Sequence, residues 1–295
     1  MDISIQQHVL GPVVFLVMIT IGLELKLEQF QTLLRNPRLP LLGTLIHTAS
    51  FPLIAVTLIL LSSWSGYAMS ETIVLGMLLI AACPSGGFSN VLTLMAGANL
   101  PLSVTLTAVS SLFSFLSVPL LLALFAPLVA GLDKPIELPV GATLLQLFVL
   151  VLVPIAVGMV LRKWREAFFV QHLQRLQGIG QVVLYVTVGL LVIESLDVMI
   201  AGATEALPWS LLLCALNLFV CYQLAKAVGL GMEERVTVAM EGSIRNLAVA
   251  FLIAANVLER MDIAALPTVY FIAVLIVAIV FAKTWRYLVG ESARS

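Results

Sequence analysis

The chain has 295 residues, 61% of them hydrophobic and only 11% charged, with a mean hydropathy of +1.12 and a formal net charge of −1. A soluble domain of this size carries far more charge, so the composition predicts an all-α integral membrane protein in a lipid bilayer. No nucleic-acid partner is expected, and Cys83, Cys214 and Cys221, with no CxxC spacing and no histidine nearby, argue against a disulfide framework or a zinc site.

A span in lipid needs roughly 17–25 apolar residues. Nine stretches meet or approach that length: 8–25, 38–61, 71–97, 100–126, 139–161, 178–200, 208–229, 233–257 and 264–288. The first is preceded by Asp2 without a basic residue and is followed by no A-x-A site, so it reads as a retained span and not a cleaved signal peptide. Behind it, LELKLEQFQTLLRNPR alternates apolar and charged residues, as an interfacial helix or turn ended by Asn36–Pro37 would. Trp64, Trp209 and Trp285 are expected at span ends, at headgroup level. Short polar turns should separate the spans, and the whole chain, 1–295, reads as one transmembrane domain.

The third span is interrupted. Pro84, Gly86 and Gly87 cluster where a membrane helix should continue, and proline and glycine both weaken it there. Ser89 and Asn90 follow, then a fourth span with Ser103 and Thr107 one turn apart. Broken backbone in lipid is tolerated only where it is buried in protein or lines a wet cavity. The eighth span repeats the theme. PSGGFSNVLTLMAGANL and AMEGSIRNLAVAFLIAANVL align with Gly86 over Gly242, Ser89 over Arg245 and Asn90 over Asn246. Two similar broken helices of opposite direction predict an inverted-topology repeat, about 8–126 against 139–288, with the fifth span extra.

Glu241 carries the strongest chemical claim, since a charge inside a span is costly and usually functional; the bland alternative is that it pairs with Arg245 or sits near the cytoplasmic end. Ser89, Asn90, Ser103 and Thr107 add neutral oxygens, and the set suits a hard monovalent cation. Each of the four alone is more often a helix-packing residue. Asn90 and Asn246 begin the inner half-helices, where free N–H groups attract a carboxylate. His47, by itself, reads as a helix–helix hydrogen bond, and His172 as a surface residue of a basic loop. Basic residues set orientation: Lys26, Arg35, Arg38, Arg162, Lys163, Arg165, Arg175, Lys226, Arg235, Lys283, Arg286 and Arg294 fall on one side, against Lys134 and Arg260. That bias predicts an outside N-terminus and a cytoplasmic C-terminus in the cell membrane.

These residues resemble the bile acid:sodium symporter family. GLELKLEQFQTLLRNPRLPLLG looks like its first cytoplasmic connection, CPSGGFSNVLTLMAGANLPLSVTLTAVSS like its first crossing helix and EGSIRN like its second. The resemblance implies two crossing helices, a core domain (spans two, three, four, seven, eight and nine) and a panel domain (one, five and six), working by alternating access. It implies a first sodium site of Ser89, Asn90, Ser103, Thr107 and Glu241. It also implies a second site, yet Arg245 and His47 stand where the family usually has glutamines. A fixed cation there repels sodium, so one sodium ion is expected, with Arg245 and His47 as second-site replacements or Arg245 as a substrate counter-charge. The expected function is sodium-coupled transport of an organic anion, a carboxylate or sulfonate, either bile-acid-like or a small keto or hydroxy acid. The alternatives are a proton-coupled or sodium-independent carrier and, from another class, an intramembrane hydrolase, for which no HExxH, GxSxG or paired-Asp signature is present.

Overall fold

The structure, a computed structural model, describes residues 3–24, 37–67, 69–129, 148–194, 196–256 and 260–292, with 141, 145 and 258. The charged connection at 25–36, the start of the fifth predicted span and the orientation-setting Lys26, Arg35, Lys134 and Arg294 lie outside the described residues. Helices carry the described chain: α1 (Ile3–Glu24), α2 (Arg38–Trp64), α3 (Glu71–Ala82), α4 (Phe88–Ala96), α5 (Leu100–Val129), a π-helical turn (Phe148–Leu152) running into α6 (Val153–Trp164), α7 (Glu166–Glu194), α8 (Leu196–Ala227), α9 (Met232–Ser243), α10 (Leu247–Asn256), a 3-10 turn (Met261–Ala264) and α11 (Ala265–Ser292). Local signals start several of them. Ser70 caps α3 by accepting a hydrogen bond from Ile73 N, and Glu234 reaches back to accept one from Gly231 N at the start of α9.

Two expectations need correction. The turn placed at 201–207, between the sixth and seventh spans, is helix instead: α8 runs through those residues, whose Ala, Glu and Leu favour helix, and carries Pro208 and Trp209 in its interior. Trp209 therefore packs beside Tyr67 from within a helix and not at its end. The basic loop around His172 is likewise helical. α7 begins at Glu166, and His172 stacks on Phe168, one turn before it.

Arg38–Trp64, Ile200–Ala227 and Met261–Tyr287 are long and apolar enough to cross a membrane, and Leu100–Ser114 with Leu116–Leu122, bent by 62°, makes a fourth candidate. Leu45, Leu53, Leu120, Leu124, Ile276 and Val280 point outward on these helices. So much exposed apolar surface marks a face that meets lipid. Packing divides the helices unevenly. α8 lies along α11, α9 and α2, while α3, α4 and α5 pack among α9 and α11. α1 instead packs against α6 and α7 and touches the others chiefly through α10. The α1–α6 seam is backbone on backbone. A Cβ on Gly22 would lie 2.2 Å from Ile155 O, and one on Gly158 2.3 Å from Ile19 O, so only glycine lets the two helices approach this closely.

Candidate functional site

The two interrupted helices meet at their breaks. α3 ends at Ala82, where Cys83 turns extended and Pro84 offers no donor; α9 ends at Ser243, where Ile244 turns extended. The freed backbones pair with each other. Gly86 N donates to Ile244 O and Asn246 N to Pro84 O, both at 2.9 Å, with Ser85 opposite Arg245 in an antiparallel bridge. Each break thus satisfies donors and acceptors the other exposes, as non-helical backbone away from water requires. Gly86 is needed for the approach, since a Cβ there would sit 2.8 Å from Arg245 O.

Beside the crossing lies Glu241, fully buried in the last turn of α9. Its carboxylate accepts from Ser85 Oγ at 2.5 Å, Ser89 Oγ at 2.6 Å, Thr107 Oγ1 at 2.9 Å and Ser103 Oγ. Ser103 Oγ also lies 2.8 Å from Asn90 Oδ1 and 3.2 Å from Thr93 Oγ1. The structure therefore brings Ser89, Asn90, Ser103 and Thr107 together around Glu241. It adds two residues the sequence reading missed. Thr93 follows Ser89 by one helical turn and was legible from that spacing. Ser85 lies in unwound chain, where no periodicity points to it.

A hydroxyl has one proton, so Ser103 cannot serve Glu241, Asn90 and Thr93 at once. The cluster has more acceptor oxygens than protons to share among them. A small hard cation relieves that excess, and the carboxylate supplies the charge to hold it. No basic side chain does so: among the described residues the ion pairs join Arg260 to Glu71 and Asp262, and none reaches Glu241. The donor set thus fits sodium.

Arg245 follows Glu241 by four residues but turns away from it, because the helix ends between them. Its guanidinium is buried, donating to His47 O at 2.8 Å and Cys83 O at 3.2 Å, and lies 4.2 Å from the centre of the Phe51 ring. Arg245 and His47 do come together, but through the His47 carbonyl. Both ring nitrogens of His47 are buried without a hydrogen-bond partner, so the helix–helix bond expected of the ring is made by its backbone.

A cavity of about 270 Å³ opens beside the crossing. Gly86, Gly87, Asn90, Arg245 and Asn246 line one wall; Thr20 of α1 and Gln174, Gln177 and Gln181 of α7 line the other. Asn246 Oδ1 accepts from Val249 N, capping α10. Asn90 borders both the cavity and the oxygen cluster. The three glutamines recur at spacings of three and four, one face of a helix, a signal obscured by reading that segment as a loop.

The profile of the Sodium Bile acid symporter family matches residues 11–202. The chain belongs to that family. It is accordingly a multi-pass membrane protein of a transporter family. The chain is 30% identical over 147 residues to the "Uncharacterized sodium-dependent transporter YocS" of Bacillus subtilis (strain 168), covering 50% of this chain and 42% of that protein. It is 24% identical over 263 residues to the "P3 protein" of Mus musculus, covering 86% and 52%. It is also 24% identical over 270 residues to the "Probable sodium/metabolite cotransporter BASS2, chloroplastic" of Oryza sativa subsp. japonica, covering 91% and 62%. The chain spans about half the length of the first two of these relatives.

Proposed function

We propose that this symporter-family chain carries a small organic anion across the cell membrane, coupled to sodium by alternating access. Sodium would sit at Glu241 with Ser89, Asn90, Ser103 and Thr107, and the anion in the cavity beyond Asn90 and Asn246. The observation that carries the reading is Asn90. Its carboxamide oxygen lies 2.8 Å from Ser103 Oγ in the cation cluster, while the residue also lines the cavity. A cation drawing on that oxygen reorients the same side chain that meets the substrate, a direct physical link between the two ligands. The names of the relatives, a sodium-dependent transporter and a sodium/metabolite cotransporter, agree with it.

The cavity narrows the substrate. Drug-sized ligands occupy pockets of roughly 300–1,000 Å³, and this one, at about 270 Å³ with amide side chains on both walls, suits a small keto or hydroxy acid better than a steroid. We propose further that α1, α6 and α7 form a panel moving against a core of the other helices, nine spans in all built as an inverted repeat. The separate packing of α1 with α6 and α7 supports this. Purified protein screened by thermal unfolding against small organic anions, with sodium or choline, tests the function, because a ligand stabilises the state it binds. Stabilisation by an anion that needs sodium is the expected result. Equal stabilisation in choline, or uptake that follows pH and not sodium, transfers the reading to a proton-coupled or sodium-independent carrier.

A further inference from the structure

The crossing holds two opposite charges that do not pair. Glu241 is buried among hydroxyls, and Arg245 is buried with its guanidinium on the carbonyls of Cys83 and His47. Arg162, the other buried cation among the described residues, belongs to the α1–α6 pair, where it donates to Leu23 O at 2.7 Å. The surroundings of Arg245 are those of a cation site. α3 ends at Ala82, so the carbonyl of Cys83 lies at a helix C-terminus, which carries partial negative charge and lacks intrahelical partners. The His47 carbonyl of α2 converges on the same point, and the Phe51 ring presents its face to the charge. A backbone oxygen at an unwound membrane helix, as Cys83 O is, belongs to the groups that coordinate exchangeable monovalent cations in transporters of this design, and His47 O from the continuous α2 stands beside it. Here a guanidinium bonded to the chain already occupies them.

We infer that Arg245 is a resident cation, so that the protein takes up one exchangeable sodium ion per chain, at Glu241, and has no second sodium site. This rests on the sodium reading above and adds the count. The charges support it. Without ions, Glu241 and Arg245 leave the crossing neutral. One sodium leaves it with a single positive charge next to the cavity, enough to hold one monovalent anion. A second sodium would face the guanidinium at close range in a region shielded from water, where like charges repel strongly.

Equilibrium binding of radioactive sodium to the purified full chain counts the ions directly. The unmodified protein should saturate at one ion per chain with a Hill coefficient of one, and Glu241→Gln should remove saturable binding. Arg245→Gln frees the carbonyls of Cys83 and His47 and adds an amide oxygen, so it should bind two ions. Arg245→Lys keeps the charge and should stay at one. Two ions per chain in the unmodified protein overturns the inference while leaving sodium coupling intact. So does a folded Arg245→Gln that still binds one. Absence of saturable sodium binding in the unmodified protein overturns the sodium reading and this inference with it. The count in unmodified protein decides the matter even if Arg245→Gln does not fold.

Discussion

Replacing Glu241 by glutamine removes the only formal negative charge in the oxygen cluster while keeping its shape. Of the four hydroxyls that donate to the carboxylate from Ser85, Ser89, Ser103 and Thr107, two can rotate to accept from the new amide N–H groups while the others keep donating to its oxygen, so the packing persists. The cation loses a unit charge a few ångströms away. At about 4 Å and an effective dielectric constant of about 20, that charge is worth about 4 kcal/mol. With about 1.4 kcal/mol per tenfold, sodium affinity should fall on the order of 1,000-fold. Sodium binding to purified Glu241→Gln, read beside its thermal unfolding in detergent, measures both sides of the argument. A variant that unfolds near the unmodified temperature and no longer binds sodium fits the structure. One that binds sodium within threefold of the unmodified protein refutes the carboxylate as its ligand.

Ser85→Ala deletes one hydrogen bond to the Glu241 carboxylate, a contact worth about 1.5–3 kcal/mol when one partner is charged. Thermal unfolding in detergent should therefore show the variant less stable by an amount of that order, and unchanged stability would show that the bond carries no weight. Gln181→Leu places an apolar group on the cavity wall of α7 and leaves the oxygen cluster alone. It should weaken the anion found by the thermal screen without altering sodium binding; a parallel loss of both would show that the two regions are not separate. In a cysteine-free background, an impermeant thiol reagent on intact cells should label Thr204→Cys but not Arg175→Cys, and the reverse pattern inverts the topology.

Much of this protein was legible in its residues because the governing physics is local. Pro84, Gly86 and Gly87 announce a broken helix wherever they occur in an apolar run, since the missing donor and weak helix propensity belong to those residues themselves. Ser103 and Thr107 share a helical face by spacing alone, and a glutamate in a membrane span is costly in any fold. The second break was harder to see. Residues 244–246 contain neither proline nor glycine, and only their likeness to the first break suggested it.

What the tertiary structure decided is who meets whom. Four residues separate Glu241 from Arg245, a spacing that pairs side chains on a continuous helix. Because α9 stops between them, one side chain turns to the hydroxyls of α4 and α5 and the other to the carbonyls of Cys83 and His47. Ser85 reaches Glu241 only because two unwound segments pair across the crossing, 156 residues apart in sequence. The glutamines of α7 face that crossing only because α1 and α7 pack beside it. Periodicity reports which face of one helix is shared. It carries no information on which distant helix covers that face, because that depends on the shapes of both partners.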